Sequence, residues 1–281
     1  MRLNNGVSIA EAEQALSDTE ATWLDLMRDE WVTYRTYSDA VDKVHGLLAR
    51  TFAEPDLTGE LYSATFWHVT SVNPNWSVTQ EDPRLIAREV KAQLATLGSA
   101  RAQLLRLRAL AERPGMPIVY DTNMLNHWQQ PGGVLWRKVL SANGLRPRLV
   151  RLVIPMRVID ELDRQKYGHG DLARKAATAI RYLDRIFSDR DKYLPAEIRK
   201  GEATLEIWPD DHDRGRGTDA DLEILRCASD LSLLLPNERT SVLTDDTGMR
   251  LRAQQMHLGT LRMPEEYHKP GTAIGATPPS P

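Results

Sequence analysis

Cysteine is nearly absent from this chain: Cys227 is the one cysteine in 281 residues. A single thiol cannot close an intrachain disulfide and cannot by itself make a thiolate zinc site, so a disulfide-stapled fold is excluded. The seven histidines are scattered without the spacing of metal ligands. This composition fits a reducing compartment, and the cytoplasm is the expected location.

Long apolar runs are also lacking. No stretch approaches the ~20 apolar residues of a membrane-spanning helix, and residues 1–6 lack the basic-then-apolar layout of a signal peptide. We therefore expect a soluble protein with no membrane partner. The chain carries 36 basic and 39 acidic side chains, for a net charge of −3. Without an overall positive field, any contact with nucleic acid must come from a local basic patch.

What the sequence does contain first is helical periodicity. Apolar residues recur at spacings near three and four from Ile9 to Phe52, which predicts one long amphipathic helix. A second helix is predicted from Asp82-Pro83 to the helix-breaking Pro114-Gly115. Residues 1–115 are thus expected to form an all-α helical-hairpin domain, suited to homodimerisation or to binding a protein partner.

After this point the pattern changes to short apolar runs that alternate with helical segments. The runs are Pro117–Asp121, Leu149–Pro155, Ala203–Pro209 and Ser241–Asp246. Such alternation predicts an α/β domain over residues 116–268, with a parallel sheet flanked by helices. The remaining residues, 269–281, are rich in Gly, Pro, Thr and Ser, and we expect a disordered tail.

Four acidic positions stand where an α/β sheet places its ligand site. Asp121 ends the first apolar run and Asp245 ends the last, while Glu161 falls in the first or second turn of a helix that follows Pro155. The remaining acid is Asp219 or Asp221, which the sequence places near the start of another helix. We expect these acids to converge on one small volume.

Converging carboxylates repel one another unless a cation neutralises them. Oxygen donors without Cys or His favour Mg²⁺ or Mn²⁺. Such ions activate water for in-line attack on phosphorus and stabilise the leaving oxygen. The acids therefore predict metal-dependent hydrolysis of phosphodiesters.

These motifs together resemble a PIN domain. IVYDTN resembles the opening strand of the family, VIPMRVIDELDRQK its second strand and helix, DADLEILRCA its third acidic position, and SVLTDDTGMRLRAQ its last acidic strand end. The resemblance covers about half of the chain. It implies a PIN-like fold and Mg²⁺- or Mn²⁺-dependent cleavage of RNA, usually single-stranded and usually internal.

The resemblance also assigns roles to residues. Asp121, Glu161 and Asp245 match the first, second and fourth acids, as catalytic residues and metal ligands. Asp221 has the spacing of the third acid, and Asp219 is kept as its substitute or helper. A Thr-x-x-Asp pattern from Thr218 offers a purely structural explanation of Asp221, as part of a capping box.

Neighbouring residues are expected to support the acids or the substrate. The side chains expected to orient an acid or a metal-bound water are Thr122, Asn123, Thr244 and Asp246. The side chains expected to contact RNA phosphates are Arg164, Lys166, Arg214 and Arg216. Trp128 and Trp136 have a spacing more typical of a core than of a base-stacking surface.

The leading hypothesis is a cytoplasmic metal-dependent endoribonuclease. A toxin paired with an antitoxin is one biological version, and RNA processing, surveillance and phage defence are others. One alternative is a PIN-like RNA- or protein-binding regulator that does not cut. Another is a nuclease directed at DNA or at flap structures.

Overall fold

The computed structural model describes residues 2–28, 32–53, 57–71, 82–188, 194–208 and 219–269. The chain divides into two compact units, Met1–Arg113 and Pro114–Pro281. The division falls at Pro114-Gly115, where the helical periodicity of the sequence ends. Among the helices of the described ranges, none combines the length and the apolar character that crossing a bilayer requires.

The first unit is helical, as predicted. Its helices are α1 (Ile9–Arg28), α2 (Tyr34–Thr51), α3 (Ala64–Ser71) and α4 (Asp82–Ala111), with a short 3-10 turn at Gly59–Leu61. Helix α1 packs against both α2 and α4. Arg108 pairs with Glu13 at 3.0 Å and Arg101 pairs with Glu20 at 2.6 Å, so α1 and α4 run antiparallel. The helical hairpin is therefore made by α1 with α4.

One expectation for this unit is wrong, because the helix predicted from Ile9 to Phe52 is two helices, α1 and α2. Helix α2 begins after Thr33. The Thr33 hydroxyl accepts a hydrogen bond from the Thr36 N–H at 3.1 Å, and the Thr36 hydroxyl accepts one from the Thr33 N–H at 2.9 Å. This reciprocal capping box starts a new helix. Both helices bury an apolar face, so the apolar period continues across the break and does not reveal it.

The second unit is built on a six-stranded sheet. Its strands are β1 (Met116–Tyr120), β2 (Val150–Pro155), β3 (Ala196–Arg199), β4 (Ala203–Trp208), β5 (Ser241–Leu243) and β6 (Gly259–Leu261), in the order β3-β4-β2-β1-β5-β6. All neighbours are parallel except β3 and β4. The predicted α/β class and the four predicted strands, β1, β2, β4 and β5, are confirmed. The two edge strands, β3 and β6, are short and partly exposed, and they leave no apolar run in the sequence.

Helices flank the sheet. They are α5 (Thr122–His127), α6 (Trp136–Ala142), α7 (Met156–Gln165), α8 (Gly170–Phe187), α9 (Ala220–Leu234) and α10 (Thr247–Gln255), with 3-10 turns at Pro131–Gly133 and Glu265–Tyr267. Strand β1 lies between β2 and β5, so the carboxyl ends of these three parallel strands meet at one edge. Helices α5, α7, α9 and α10 start at this edge. The predicted acids lie at the strand ends or in the first two turns of these helices, so they lie on this side of the sheet.

The core of the second unit contains an ion pair. Arg151 of β2 donates from Nε and Nη2 to Glu206 Oε1 of the adjacent β4, at 2.9 and 2.7 Å. The two side chains are only 1% and 2% exposed. Trp128 and Trp136 are also buried, in agreement with a core role for both. The Trp136 indole donates to the carbonyl oxygen of Pro131 at 3.0 Å.

The end of the second unit is partly different from its prediction. Lys269, the first residue of the predicted tail, is held in place, because its backbone N–H donates to the carbonyl oxygen of His127 at 2.9 Å. The rest of the tail, residues 270–281, lies outside the described residues.

Candidate functional site

Asp121 is the centre of the acidic site. It follows β1 directly and is 3% exposed. Its Oδ2 accepts a hydrogen bond from the hydroxyl of Thr244, which follows β5, at 2.7 Å. Its Oδ1 accepts from the backbone N–H of Asn123 at 3.4 Å, so Asp121 is also the N-cap of α5. Two adjacent strand ends thereby fix the orientation of this carboxylate. Thr244 was expected to orient the last acid or a metal-bound water, and the structure shows it bonded to the first acid.

Glu161 lies in the second turn of α7, as predicted. Its Oε2 accepts a hydrogen bond from the hydroxyl of Thr122 at 2.5 Å. Thr122 was expected to orient the first acid or a metal-bound water, and the structure shows it bonded to the second acid instead. Because Thr122 follows Asp121 in the chain, this bond ties the first and second acids together.

The third acidic position contains two carboxylates with different surroundings. Asp219 is the N-cap of α9, where its Oδ1 accepts from the backbone N–H of Leu222 at 3.2 Å. Asp221 stands in the first turn and does not cap the helix. The capping box predicted from Thr218 begins outside the described residues, and Asp219 makes the cap in the structure. Of the two, Asp221 is the one whose charge raises the pKa of Asp121, so it is the better placed for the site.

An ion pair joins the helices that carry these acids. Arg157 of α7 lies 3.3 Å from Glu223 of α9, and both side chains are largely buried. Arg157 precedes Glu161 by one helical turn, and Glu223 follows Asp221 by two residues. The pair therefore holds the second and third acidic positions next to each other.

The charges of Asp121, Glu161 and Asp221 influence one another. The pKa of Asp121 is raised from 3.8 to about 6, mainly by burial and also by the negative charges of Asp221 and Glu161, against the lowering effect of the Thr244 and Asn123 hydrogen bonds. The pKa of Asp221 is also raised, first by burial and then by Asp219, Asp246 and Glu161, against the lowering effect of Arg252. The three acids therefore form one electrostatic group.

The adjacent acids Asp245 and Asp246 have different surroundings in the structure. Burial raises the pKa of Asp245, and the neighbouring Arg250, Trp128 and Arg262 side chains lower it. Asp246 is instead close enough to Asp221 to raise its pKa. Its backbone N–H also donates to the Thr244 hydroxyl, at 3.1 Å.

Asp245 was expected to be a metal ligand and Asp246 an orienting residue. Of the two, Asp246 is the one whose charge raises the pKa of Asp221. Asp246 also caps α10, since its Oδ1 accepts from the Met249 N–H at 2.7 Å.

Two of the four basic residues predicted to contact RNA belong to the described part of the chain. Arg164 is exposed on α7. Lys166 is paired with Asp163 at 2.5 Å and lies 4.8 Å from the ring centre of Tyr167, which is itself 76% exposed. Arg214 and Arg216 lie outside the described residues.

Sequence reasoning missed Arg252 of α10. Its guanidinium lies 3.3 Å from Asp221 Oδ2 and 3.8 Å from Asp219 Oδ2. Nothing in the sequence distinguishes it from Arg250 on the same helix, because the contact depends on how α10 packs against α9. Arg252 is thus a cation at the border of the acidic group.

The donor chemistry of the site fits a hard divalent cation. Asp121, Glu161, Asp221 and Asp246 offer only oxygen, which Mg²⁺ and Mn²⁺ prefer. In the described part of the chain, no three His, Cys, Asp or Glu side chains stand in a geometry that would hold one ion together.

Removing the Thr244 hydroxyl should destabilise the protein. Thr244→Val preserves the shape of the side chain but leaves the buried Asp121 Oδ2 without its donor, which costs about 1–3 kcal/mol. The pKa of Asp121 should rise further, because the lost hydrogen bond favours the charged form. Urea unfolding at pH 8 measures the effect. Thr244→Ser keeps the hydroxyl and is the control; equal losses in both variants would show that the hydrogen bond is unimportant.

A parallel sheet with carboxylates gathered at the carboxyl ends of its central strands defines an α/β domain with an acidic site. The chain belongs to the PIN domain family, whose model matches residues 118–263, slightly more than half of the chain. PIN domains are typically nucleases and generally use divalent metal ions. The helical unit lies outside this match.

Other comparisons add little to this assignment. No curated protein matches the chain. Among solved structures, the chain is similar to a domain of a functionally unknown protein from Methanocaldococcus jannaschii, with 15% sequence identity and a TM-score of 0.33. The likeness covers 53% of this chain and 92% of that one.

Proposed function

We propose that this protein is a metal-dependent endoribonuclease that cleaves single-stranded RNA. The observation that carries the proposal is the electrostatic group of Asp121, Glu161 and Asp221, with Asp246 at its border. These acids lie at the strand ends of a PIN domain, and their mutual repulsion favours a bound cation. The cation we propose is Mg²⁺ or Mn²⁺.

The residues of the chain have distinct tasks in this proposal. When bound, a divalent cation supplies charge neutralisation for the phosphate and activation of water for in-line attack. Asp121 is held by Thr244 and Asn123 in one orientation, so that it binds the cation without first reorganising. Thr122 does the same for Glu161. Arg252 offers a cation for the phosphate once metal has compensated Asp221.

The proposed substrate class is supported by the resemblance to the family and by the surface beside α7. Arg164 is exposed there, and the ring of Tyr167 is open to solvent. Cationic and aromatic side chains side by side bind single-stranded nucleic acid through phosphates and stacked bases. We therefore propose unpaired RNA as the substrate, with Arg164 and Lys166 on its path.

A cleavage assay tests the proposal and its alternatives together. A circular single-stranded RNA is incubated with the full chain and Mn²⁺, beside linear RNA, single-stranded DNA and a flap substrate, with Asp121→Asn as the inactive comparison. We expect the circle to be opened by the wild type only, which shows internal cleavage. Faster cutting of DNA or flaps would replace RNA as the substrate. If wild type cuts none of the four substrates, the non-catalytic regulator is favoured, and if Asp121→Asn cuts as well as wild type, the proposed mechanism is wrong.

For the helical unit we propose contact with a second copy of the chain or with a protein partner. Large apolar side chains on its helices are exposed, including Leu24 of α1 at 41% and Leu105 of α4 at 60%. Light scattering of the full chain tests self-association. A monomer across the concentration range would exclude the homodimer.

A further inference from the structure

A group of basic side chains lies at the far end of α5 from Asp121. His127 is the last residue of α5, and helix α8, which carries Lys175, packs against α5. Lys269 joins them from the C-terminal segment, where its ammonium donates to the carbonyl oxygens of Leu125 and Asn126 at 2.8 and 3.2 Å. We call His127, Lys175 and Lys269 the basic cluster. These two bonds tie Lys269 to the end of α5.

The positive charges of the basic cluster are partly buried and repel one another. The pKa of Lys269 is lowered to about 8, mainly by burial and also by the charge of Lys175. The pKa of His127 is also lowered, first by burial and then by Lys175, His268 and Lys269, with Asp171 alone acting in the opposite direction. Asp171 pairs with Lys175 at 2.6 Å but is itself about half exposed. An anion at this place would relieve the repulsion.

Polar atoms beside the basic cluster lack partners. Among the described residues, none forms a hydrogen bond with the buried His127 Nδ1 or with either buried side-chain polar atom of Gln130. The chain after Gln130 follows the same face of α8, because the Gly132 N–H donates to the hydroxyl of Tyr182, two turns beyond Lys175, at 2.9 Å. A buried polar atom without a partner costs about 1–3 kcal/mol and needs an explanation such as a bound ligand.

We propose that the basic cluster binds a phosphate group of the RNA strand at a subsite separate from the acidic centre. This inference rests on the proposed function, because the RNA supplies the phosphate. Two ammonium groups and an imidazole N–H are suitable donors to phosphate oxygens. Helix α5 has six residues, about 9 Å, between Asp121 and the cluster. A phosphate at the subsite would therefore belong to a nucleotide close to the cut on the same strand.

Phosphate binding can be measured without cleavage. In the metal-free full chain, the imidazole of His127 is titrated by NMR with and without inorganic phosphate at constant ionic strength. A phosphate beside His127 should raise its pKa by about one unit. Lys175→Gln should abolish this response, whereas Lys200→Gln, the same substitution at an exposed site on the β3–β4 turn, should preserve it. No response in the wild type, or an equal response in both variants, would overturn the subsite.

The role towards RNA has its own readout. In cleavage assays, Lys175→Gln should raise KM about tenfold with little change in kcat, and should reduce the slope of affinity against salt by about one. An equal effect on RNA with a 5′-phosphate and with a 5′-hydroxyl identifies an internal phosphodiester, and an effect confined to the first identifies a terminal phosphate. Unchanged KM with both would overturn the inference. If the protein cleaves nothing, the NMR result still decides whether the subsite exists, so the two failures are distinguishable.

Discussion

Asp121→Asn should make the metal-free protein more stable at pH 8, although it removes the residue at the centre of the acidic site. The difference between the ordinary pKa of 3.8 and the value of about 6 corresponds to about 3 kcal/mol of destabilisation by the charged form. Asparagine has nearly the same shape and keeps an oxygen for the Thr244 hydroxyl. We expect the free energy of unfolding to rise by about 1–3 kcal/mol, as measured by urea unfolding.

The pH dependence gives this prediction a definite sign. A carboxyl whose pKa is raised on folding binds its proton more tightly in the folded state, so its contribution to stability is present below about pH 4 and is lost as pH rises through about 6. The stability gained by Asp121→Asn over wild type should therefore grow between about pH 4 and about pH 6 and remain constant at higher pH. Asp184→Asn, on the exposed side of α8, is the control. An advantage independent of pH would show that charge burial is not its cause.

Metal should reverse the order of stabilities. Mn²⁺ stabilises the folded state in proportion to its affinity for it, and it should bind wild type better than Asp121→Asn. The melting temperature of wild type should therefore increase more on adding Mn²⁺. Cleavage should fall by at least about 1,000-fold in the variant, or about 4 kcal/mol of transition-state stabilisation. Equal melting shifts in both proteins would place the cation elsewhere.

Breaking the buried ion pair of β2 and β4 should cost the most stability. Glu206→Gln leaves the Arg151 charge inside the sheet without the carboxylate that accepts from its Nε and Nη2. The expected loss is about 3–5 kcal/mol, as measured by urea unfolding.

A double replacement distinguishes the cost of an unpaired buried charge from the cost of losing the ion pair as a whole. Arg151→Met with Glu206→Leu removes both charges and fills the same space with apolar atoms, which is often neutral or stabilising. The double variant should therefore be more stable than Glu206→Gln. A cost for the double variant equal to the sum of the two single replacements would show that the residues act independently.

Much of this fold is readable from the sequence because local and tertiary signals agree. The parallel strands β1, β2, β4 and β5 are buried, so each appears as an apolar run, and the acids that follow Tyr120 and Pro155 fall where such sheets carry ligands. Even the ion pair has a signal. Arg151 and Glu206 are charged residues inside two apolar runs, and only a partner on the neighbouring strand makes such a placement tolerable.

Other features depend on contacts that no local pattern contains. Asp245 and Asp246 are adjacent, and the last strand ends before them at Leu243, so their side chains have different surroundings. Which of them borders the acids depends on the cap of α10 and on the position of Trp128. The break before α2 is hidden for a related reason, because two helices that bury faces in one core share one apolar period.

The fourth acid is the point at which the proposed site can be tested most directly. The rate of single-stranded RNA cleavage in Mn²⁺ is compared for wild type, Asp246→Asn and Asp245→Asn. Asparagine is also a good N-cap, so α10 should remain intact in Asp246→Asn. We predict a loss of about 100-fold or more for Asp246→Asn and of less than about fivefold for Asp245→Asn. Wild-type activity of Asp246→Asn, or a larger loss in Asp245→Asn, would contradict the acidic centre described above.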